Sequence, residues 1–197
     1  MTATSPSNKT ERLQLLKDEV KNCKKCTELA NYRTQTVFGY GNPDADIVFI
    51  GEAPGADEDK QGVPFVGRAG QLLDEIITEG MKLRRGDVYI CNILCCRPPE
   101  NRNPNPNETA NCRSFIDRIL DIVKPKFICC LGAVAAQTLL GKDDTLQSLR
   151  GEVHNYNGIS VVCTYHPAYL LRNPEMKKET FNDILFLLKK MGLETSK

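Results

Sequence analysis

The chain has 197 residues, 41% of them apolar and 26% charged, with a formal net charge of +1. No apolar run approaches the roughly 20 residues of a membrane span, and the polar start, Met1 to Lys9, lacks the apolar centre of a secretory signal. The expectation is a cytoplasmic, monomeric protein of one domain over residues 1–197, with residues 1–9 disordered and no membrane partner, and a charge so near zero leaves nucleic-acid contacts to local basic side chains.

Thr10 caps a first predicted helix that carries Leu13, Leu16 and Val20 on one face and closes at Cys23-Lys24-Lys25-Cys26. Residues 27–45 read mostly as loop, with Gly39, Gly41 and Pro43 as breakers. Asp46 to Ile50 is a β-branched and aromatic run of the kind that makes a strand buried on both faces, and it delivers Glu52 into a Gly/Pro-rich loop. After Gly67, the residues Ala69, Leu72, Leu73, Ile76 and Ile77 recur at helical spacing until Gly80 stops them. Asp87 to Leu94 reads as a second strand, and the Pro/Asn-rich run from Cys95 to Asn107 cannot be regular structure. A loop of that length in a compact domain is either disordered or functional, and Cys96 beside it favours a tie.

From about Asn107 a helix carries Phe115, Ile116, Ile119, Leu120 and Val123 on one stripe, with Cys112 at its upstream end. Lys126 to Leu131 is a third strand, Gly132 to Leu140 a short helix, and Ile159 to Thr164 a fourth strand ending at Tyr165-His166-Pro167. Asn173-Pro174 opens a last helix that turns Phe181, Ile184, Leu185, Leu188 and Met191 to the core. This alternation implies an α/β fold of three layers, α/β/α, around a central, mostly parallel four-stranded sheet. Right-handed crossovers put all its strand C-terminal ends on one edge, where open α/β folds bind ligands.

Nine cysteines without a secretion signal argue for metal ligands and buried thiols over a disulfide framework. Cys91, Cys129, Cys130 and Cys163 fall inside predicted strands and read as small core hydrophobes. Cys23, Cys26, Cys96 and Cys112, spaced by two, 69 and fifteen residues, can hold a tetrahedral zinc or a 4Fe-4S cluster. The wide second pair favours the cluster; a CxxC pair acting alone, and Cys95 in place of Cys96, are the competing readings. A second constellation is Glu52, Phe65, Asn92 and His166. Singly these read as a solvated acid, a core aromatic, a turn residue and a cap, but three of them follow or end separate strands and converge on one sheet edge.

With these residues in view, the chain from Cys23 to about Pro174 resembles the family 4 uracil-DNA glycosylases, the iron-sulfur branch of the uracil-DNA glycosylase superfamily. The motifs that carry the resemblance are Gly51-Glu52-Ala53-Pro54-Gly55, Pro64 to Gly70, Asn92 to Pro99 and His166 to Pro174, in that order. The family usually has Lys where this chain has Cys95. The short run from Pro98 to Pro106 lacks the basic insertion of a covalent-binding branch, and Glu52 separates the chain from the family 5 enzymes.

The resemblance implies excision of uracil from single- or double-stranded DNA. In it Glu52 and His166 are catalytic; Ala53, Glu58, Phe65, Asn92 and His166 bind uracil; and Glu58 crowds out the thymine methyl. It also implies that Arg68, Arg97 and Arg172 contact phosphates, that Leu170 or Leu171 wedges into the gap left by the flipped base, and that Cys23, Cys26, Cys96 and Cys112 hold a 4Fe-4S cluster of structural role. Two rival functions are a non-catalytic iron-sulfur module accessory to a DNA polymerase and a nucleotide-binding α/β protein. The second lacks its phosphate fingerprint, because neither G-x-G-x-x-G nor G-x-x-x-x-G-K-[ST] opens the helix at Arg68.

Overall fold

The computed structural model describes residues 8–193. The predicted disorder over residues 1–7 lies outside the described residues, whereas Asn8 and Lys9 are ordered as the cap and first residue of a helix. That helix, α1, spans Lys9–Lys21, and its cap is Asn8 rather than Thr10: the Asn8 side chain accepts the Glu11 N–H at 2.8 Å, satisfying one of the amides the first turn leaves free. The helix ends before the cysteines, and Cys26 is the N-cap of a separate short helix α2, Thr27–Tyr32. The segment read as loop therefore holds a helix and also strand β1, Gly39–Gly41, both too short for periodicity to announce.

Strand β2 is Ile47–Gly51, followed by helices α3, Ala56–Gln61, and α4, Arg68–Glu75, the latter continued by a π turn over Ile76–Gly80. Strand β3, Tyr89–Asn92, leads through a 3-10 turn at Pro99–Asn101 into the long helix α5, Pro106–Val123. Next come β4, Phe127–Leu131, α6, Ala133–Leu140, α7, Leu146–Leu149, β5, His154–Tyr156, and β6, Ile159–Thr164. Helix α8, Pro167–Arg172, and helix α9, Lys177–Met191, complete the described chain.

The sheet has six strands in the order β1-β3-β2-β4-β6-β5, not four. The four expected strands are its parallel centre, and the correction is the antiparallel edge strand at either side, β1 on β3 and β5 on β6. Edge strands of three residues carry no alternation that a sequence pattern could reveal. The central strands are buried on both faces and the pleat sorts their side chains: Val48 and Ile50 join one core with α1, α2, α5 and α6, while Ile47 and Phe49 join a second core with α4 and α9. Phe181, expected inside, is 52% exposed; Ile184, Leu187 and Leu188 carry the buried stripe of α9 instead. No described helix is long and apolar enough to cross a membrane.

Candidate active site

Parallel pairing sets Gly51 of β2 opposite Asn92 of β3. The ladder runs on beyond the strands, because Ile93 N–H donates to the Gly51 carbonyl at 2.9 Å and Leu94 N–H to that of Glu52 at 3.0 Å. Glu52 and Asn92 are therefore held by sheet hydrogen bonds, although both stand where the sequence turns from strand to loop. His166 follows β6 and caps α8: its carbonyl accepts the Tyr169 N–H at 2.8 Å, and its ring Nδ1 accepts the Ala168 N–H at 3.1 Å. With Nδ1 used as acceptor, the neutral ring carries its proton on Nε2.

Phe65 has a φ of 53°, a left-handed conformation that non-glycine residues adopt only when their surroundings impose it. Glu58 supplies the constraint: Oε1 accepts the Val66 and Gly67 N–H groups, each at 2.9 Å, and Oε2 accepts that of Gly55 at 3.1 Å. Its buried carboxylate thus sits at the N-terminal ends of both α3 and α4, where helix dipoles favour negative charge. The Phe65 ring lies 5.6 Å from the His166 ring, tilted by 32°. Gly51 makes this packing possible, since a Cβ there would fall 2.4 Å from Asn92 Oδ1 and 2.5 Å from Phe65 Cζ. Gly132, at φ 93°, brings the start of α6 under His166, to whose Cβ an added methyl would stand 3.1 Å.

These side chains line one cavity of about 630 Å³ that also takes in Ala53, Glu58 and Arg172. Asn92 is 2% exposed and its Oδ1 has no hydrogen-bond partner among the described residues. An orphaned buried acceptor costs about 1–3 kcal/mol, so a donor brought by a ligand would relieve it. Burial raises the Glu52 carboxyl above its usual range. Burial, followed by the Arg172 charge, holds His166 down to about 4 against the opposing pull of Glu58, so the ring is neutral near pH 7.

A model of the uracil DNA glycosylase superfamily matches residues 38–189. The chain is 44% identical to a type-4 uracil-DNA glycosylase of Thermotoga maritima over 178 residues, covering 88% of this chain and 92% of the relative. It is 42% identical to a type-4 uracil-DNA glycosylase of Archaeoglobus fulgidus over 190 residues, covering 92% of each. The chain belongs to the type-4 uracil-DNA glycosylases. A type-5 uracil-DNA glycosylase of Pyrobaculum aerophilum stands further off, at 29% over 196 residues, 83% of this chain and 86% of that one.

Family membership directs attention to the cavity mouth. Arg68 is exposed at the start of α4, and Arg172 lines the cavity. Arg97 is half-buried, lies 5.6 Å over the Tyr32 ring and donates from Nε to Asn101 Oδ1 at 2.8 Å. Leu170 is 1% exposed and Leu171 36%, so the wedge expected of one or the other can come only from Leu171; the phase of α8 packs Leu170 into the protein. The sequence reading missed Gly132, Ala133 and Val134, which approach the cavity from the end of β4, and Tyr165 and Tyr169, whose rings stack 5.1 Å apart beside it. A buried strand ending in Leu131-Gly132 was the available signal. It also missed Arg102, which lines the outer wall.

The four cysteines of this type-4 enzyme gather at the α1–α2 junction, the end of β3 and α5. Burial raises the Cys26 thiol, the Asn111 hydrogen bond pulls it down, and the neighbouring Cys112, Glu108 and Cys23 add to the rise. Burial likewise lifts Cys96 to about 11, against the Arg33 guanidinium, with Cys112 and Cys23 adding. Cys26 and Cys96 thus both lie close enough to Cys112 and Cys23 to be raised by them. Arg33 Nη1 donates to Cys96 Sγ at 2.9 Å and Asn111 Nδ2 to Cys26 Sγ at 3.4 Å, the kind of hydrogen bond that charged cluster sulfurs accept. Cys95 hydrogen-bonds to Cys112, and that bond, burial and the neighbouring Cys96 and Cys91 raise its thiol well above the usual range. Among the described residues no three His, Cys, Asp or Glu side chains are close enough for a single metal ion.

Proposed function

We propose that this chain is a DNA-repair hydrolase that turns a uracil nucleotide out of DNA and cleaves its N-glycosidic bond, freeing uracil and leaving an abasic site. The observation that carries the reading is the buried, unpartnered Asn92 Oδ1 beside the Phe65 ring. Uracil N3–H would satisfy that acceptor and O4 would take the amide N–H, while cytosine offers the reverse pattern and would leave buried groups unpaired. Phe65 and the cavity floor recover the few kcal/mol lost in unstacking. Exclusion of thymine falls to the wall formed by Ala53 and the loop that Glu58 clamps.

In the reaction the C1′–N1 bond breaks with its electron pair passing to the base, and a water oxygen bonds to C1′. The neutral His166 Nε2–H donates toward O2 of the departing uracil, where a donor in a water-poor site stabilises the developing charge by about 3 kcal/mol. Glu52 orients the water, stabilises the sugar cation and takes the proton that the water releases. Its raised pKa suits the last step. Arg68, Arg97 and Arg172 contact phosphates, and Leu171 enters the gap in the stack.

Cys23, Cys26, Cys96 and Cys112 are the residues to hold a 4Fe-4S cluster, which would cross-link three remote segments and supply no step of the hydrolysis. The all-thiol donor set and the N–H groups directed at the sulfurs of Cys96 and Cys26 support that assignment. We read the protein as a cytoplasmic monomer, in a compartment that keeps thiols reduced. An idle pocket on a non-catalytic module accessory to a polymerase finds no support in a site that keeps Glu52, Asn92 and His166 around one cavity. Incubation with single-stranded and duplex uracil oligonucleotides followed by alkali tests the activity: strand scission at uracil is expected, and binding without scission overturns the reading.

A further inference from the structure

The outer wall of the cavity, Pro98 to Asn103, is secured by neither strand nor long helix. Its backbone is strained, since Glu100 and Asn101 both lie in the left-handed region at φ 54°. Consecutive non-glycine residues persist there only when neighbours over-determine them. Arg102 supplies the main constraint. Its Nη1 and Nη2 grip Glu108 as a fork, at 2.9 and 2.7 Å, and Nη2 also reaches Glu28 at 2.8 Å. Glu108 is buried and further accepts the Asn105 N–H at 2.8 Å. Tyr32 adds a weaker tie, its hydroxyl accepting the Glu100 N–H at 3.3 Å.

The far ends of these ties lie beside the cysteines. Glu28 and Tyr32 belong to α2, which Cys26 caps, and Glu108 stands four residues, about one helical turn, before Cys112 on α5. A guanidinium already held by two carboxylates has little charge left to offer a phosphate, so its place on a DNA-facing cavity calls for another role.

We propose that Arg102 is a positioning residue for the extruded nucleotide: it locks the wall from Pro98 to Asn103 onto the helices next to Cys26 and Cys112, so that the cysteine end of the molecule sets the width of the pocket. The proposal rests on the glycosylase reading. A lysine at this position keeps the charge but not the fork, so Arg102→Lys is expected to resemble Arg102→Gln.

The test compares the wild type with both variants, and with Glu28→Gln, which removes only the exposed arm. It measures single-turnover excision and KM on a uracil oligonucleotide, and cleavage after Glu100 by a glutamate-specific protease. In both Arg102 variants KM is expected to rise about tenfold while kcat falls less than about threefold, because the wall binds the nucleotide in ground and transition states alike. Cleavage at Glu100 should accelerate about tenfold, and abasic product oligonucleotide should slow it again. Glu28→Gln should shift both readouts in the same direction by less, and it decides the matter if the Arg102 variants do not fold. An unchanged KM, a kcat that falls as far as kcat/KM, or a raised KM with Glu100 cut at the wild-type rate would overturn the proposal. If the wild type excises no uracil, the glycosylase reading fails, and the proteolysis alone decides whether Arg102 clamps the wall.

Discussion

Across one cavity, Glu52 and Asn92 are set by sheet hydrogen bonds that continue past the ends of β2 and β3, whereas the facing wall from Pro98 to Asn103 is held by local turns and long side-chain ties to α2 and α5. A ladder bond is repeated along the strand, so loss of one leaves its neighbours to keep the register. A fork such as Arg102–Glu108 is singular, and breaking it frees the segment it holds. The side that carries Glu52 and Asn92 is thus built to resist local damage, and the side that carries Arg102 depends on a few contacts near the cysteines. Four perturbations break or sharpen this contrast.

The largest effect is expected on the rigid side. His166→Ala should lower single-turnover kcat by about a hundredfold to a thousandfold with a much smaller change in KM, since the lost Nε2–H acts chiefly on the departing base. A drop confined to KM would remove His166 from the chemistry.

Acid probes the same residue through stability. The unfolded chain binds a proton near the ordinary histidine value of 6.5, whereas the folded ring resists until about 4, so stability should fall as pH drops between those values, by up to about 3 kcal/mol. Denaturant unfolding at pH 7 and pH 5 reads the loss, and His166→Asn should show less of it. An equal acid sensitivity in that variant would mean the ring is not held neutral.

Gly51→Ala should cost about 1–3 kcal/mol, because its methyl meets both Phe65 Cζ and Asn92 Oδ1, and should raise KM as ring and amide shift. Thermal unfolding together with steady-state kinetics checks this; a fully stable, fully active variant would mean the strand end is softer than its ladder suggests. The smallest effect on excision is expected from Cys112→Ser. Bound iron should fall and Glu100 become easier to cut, while the far-UV circular dichroism of the sheet persists and excision drops less than about tenfold. Loss of the whole fold would erase the distinction between the two sides.

Much of the rigid side was legible before any coordinates. Continuous β-branched and aromatic runs located the ends of β2, β4 and β6, and β6 has the predicted bounds, Ile159–Thr164. Because a parallel sheet aligns its C-terminal ends, the strand order brought Glu52, Asn92 and His166 to one edge, although the strand read as Asp87 to Leu94 spans only Tyr89–Asn92. The soft side was not legible. Arg102 resembles any other basic residue in a polar loop, and its partners lie 74 residues upstream at Glu28 and six residues downstream at Glu108. The clamp of Glu58 on the loop carrying Phe65 was hidden for a related reason, since it spends a carboxylate on backbone amides that no side-chain pattern marks.

The sequence by itself determined the α/β class, the parallel centre of the sheet and the polar residues at its rim, because hydrophobic period, turn chemistry and motif order are local properties. Tertiary structure decided the antiparallel edges, the choice of Leu171 over Leu170, the exposure of Phe181 and the partners of Glu58 and Arg102. Each of these depends on which surface another element covers or which distant group comes within hydrogen-bond reach, and such distances exist only once the chain has folded.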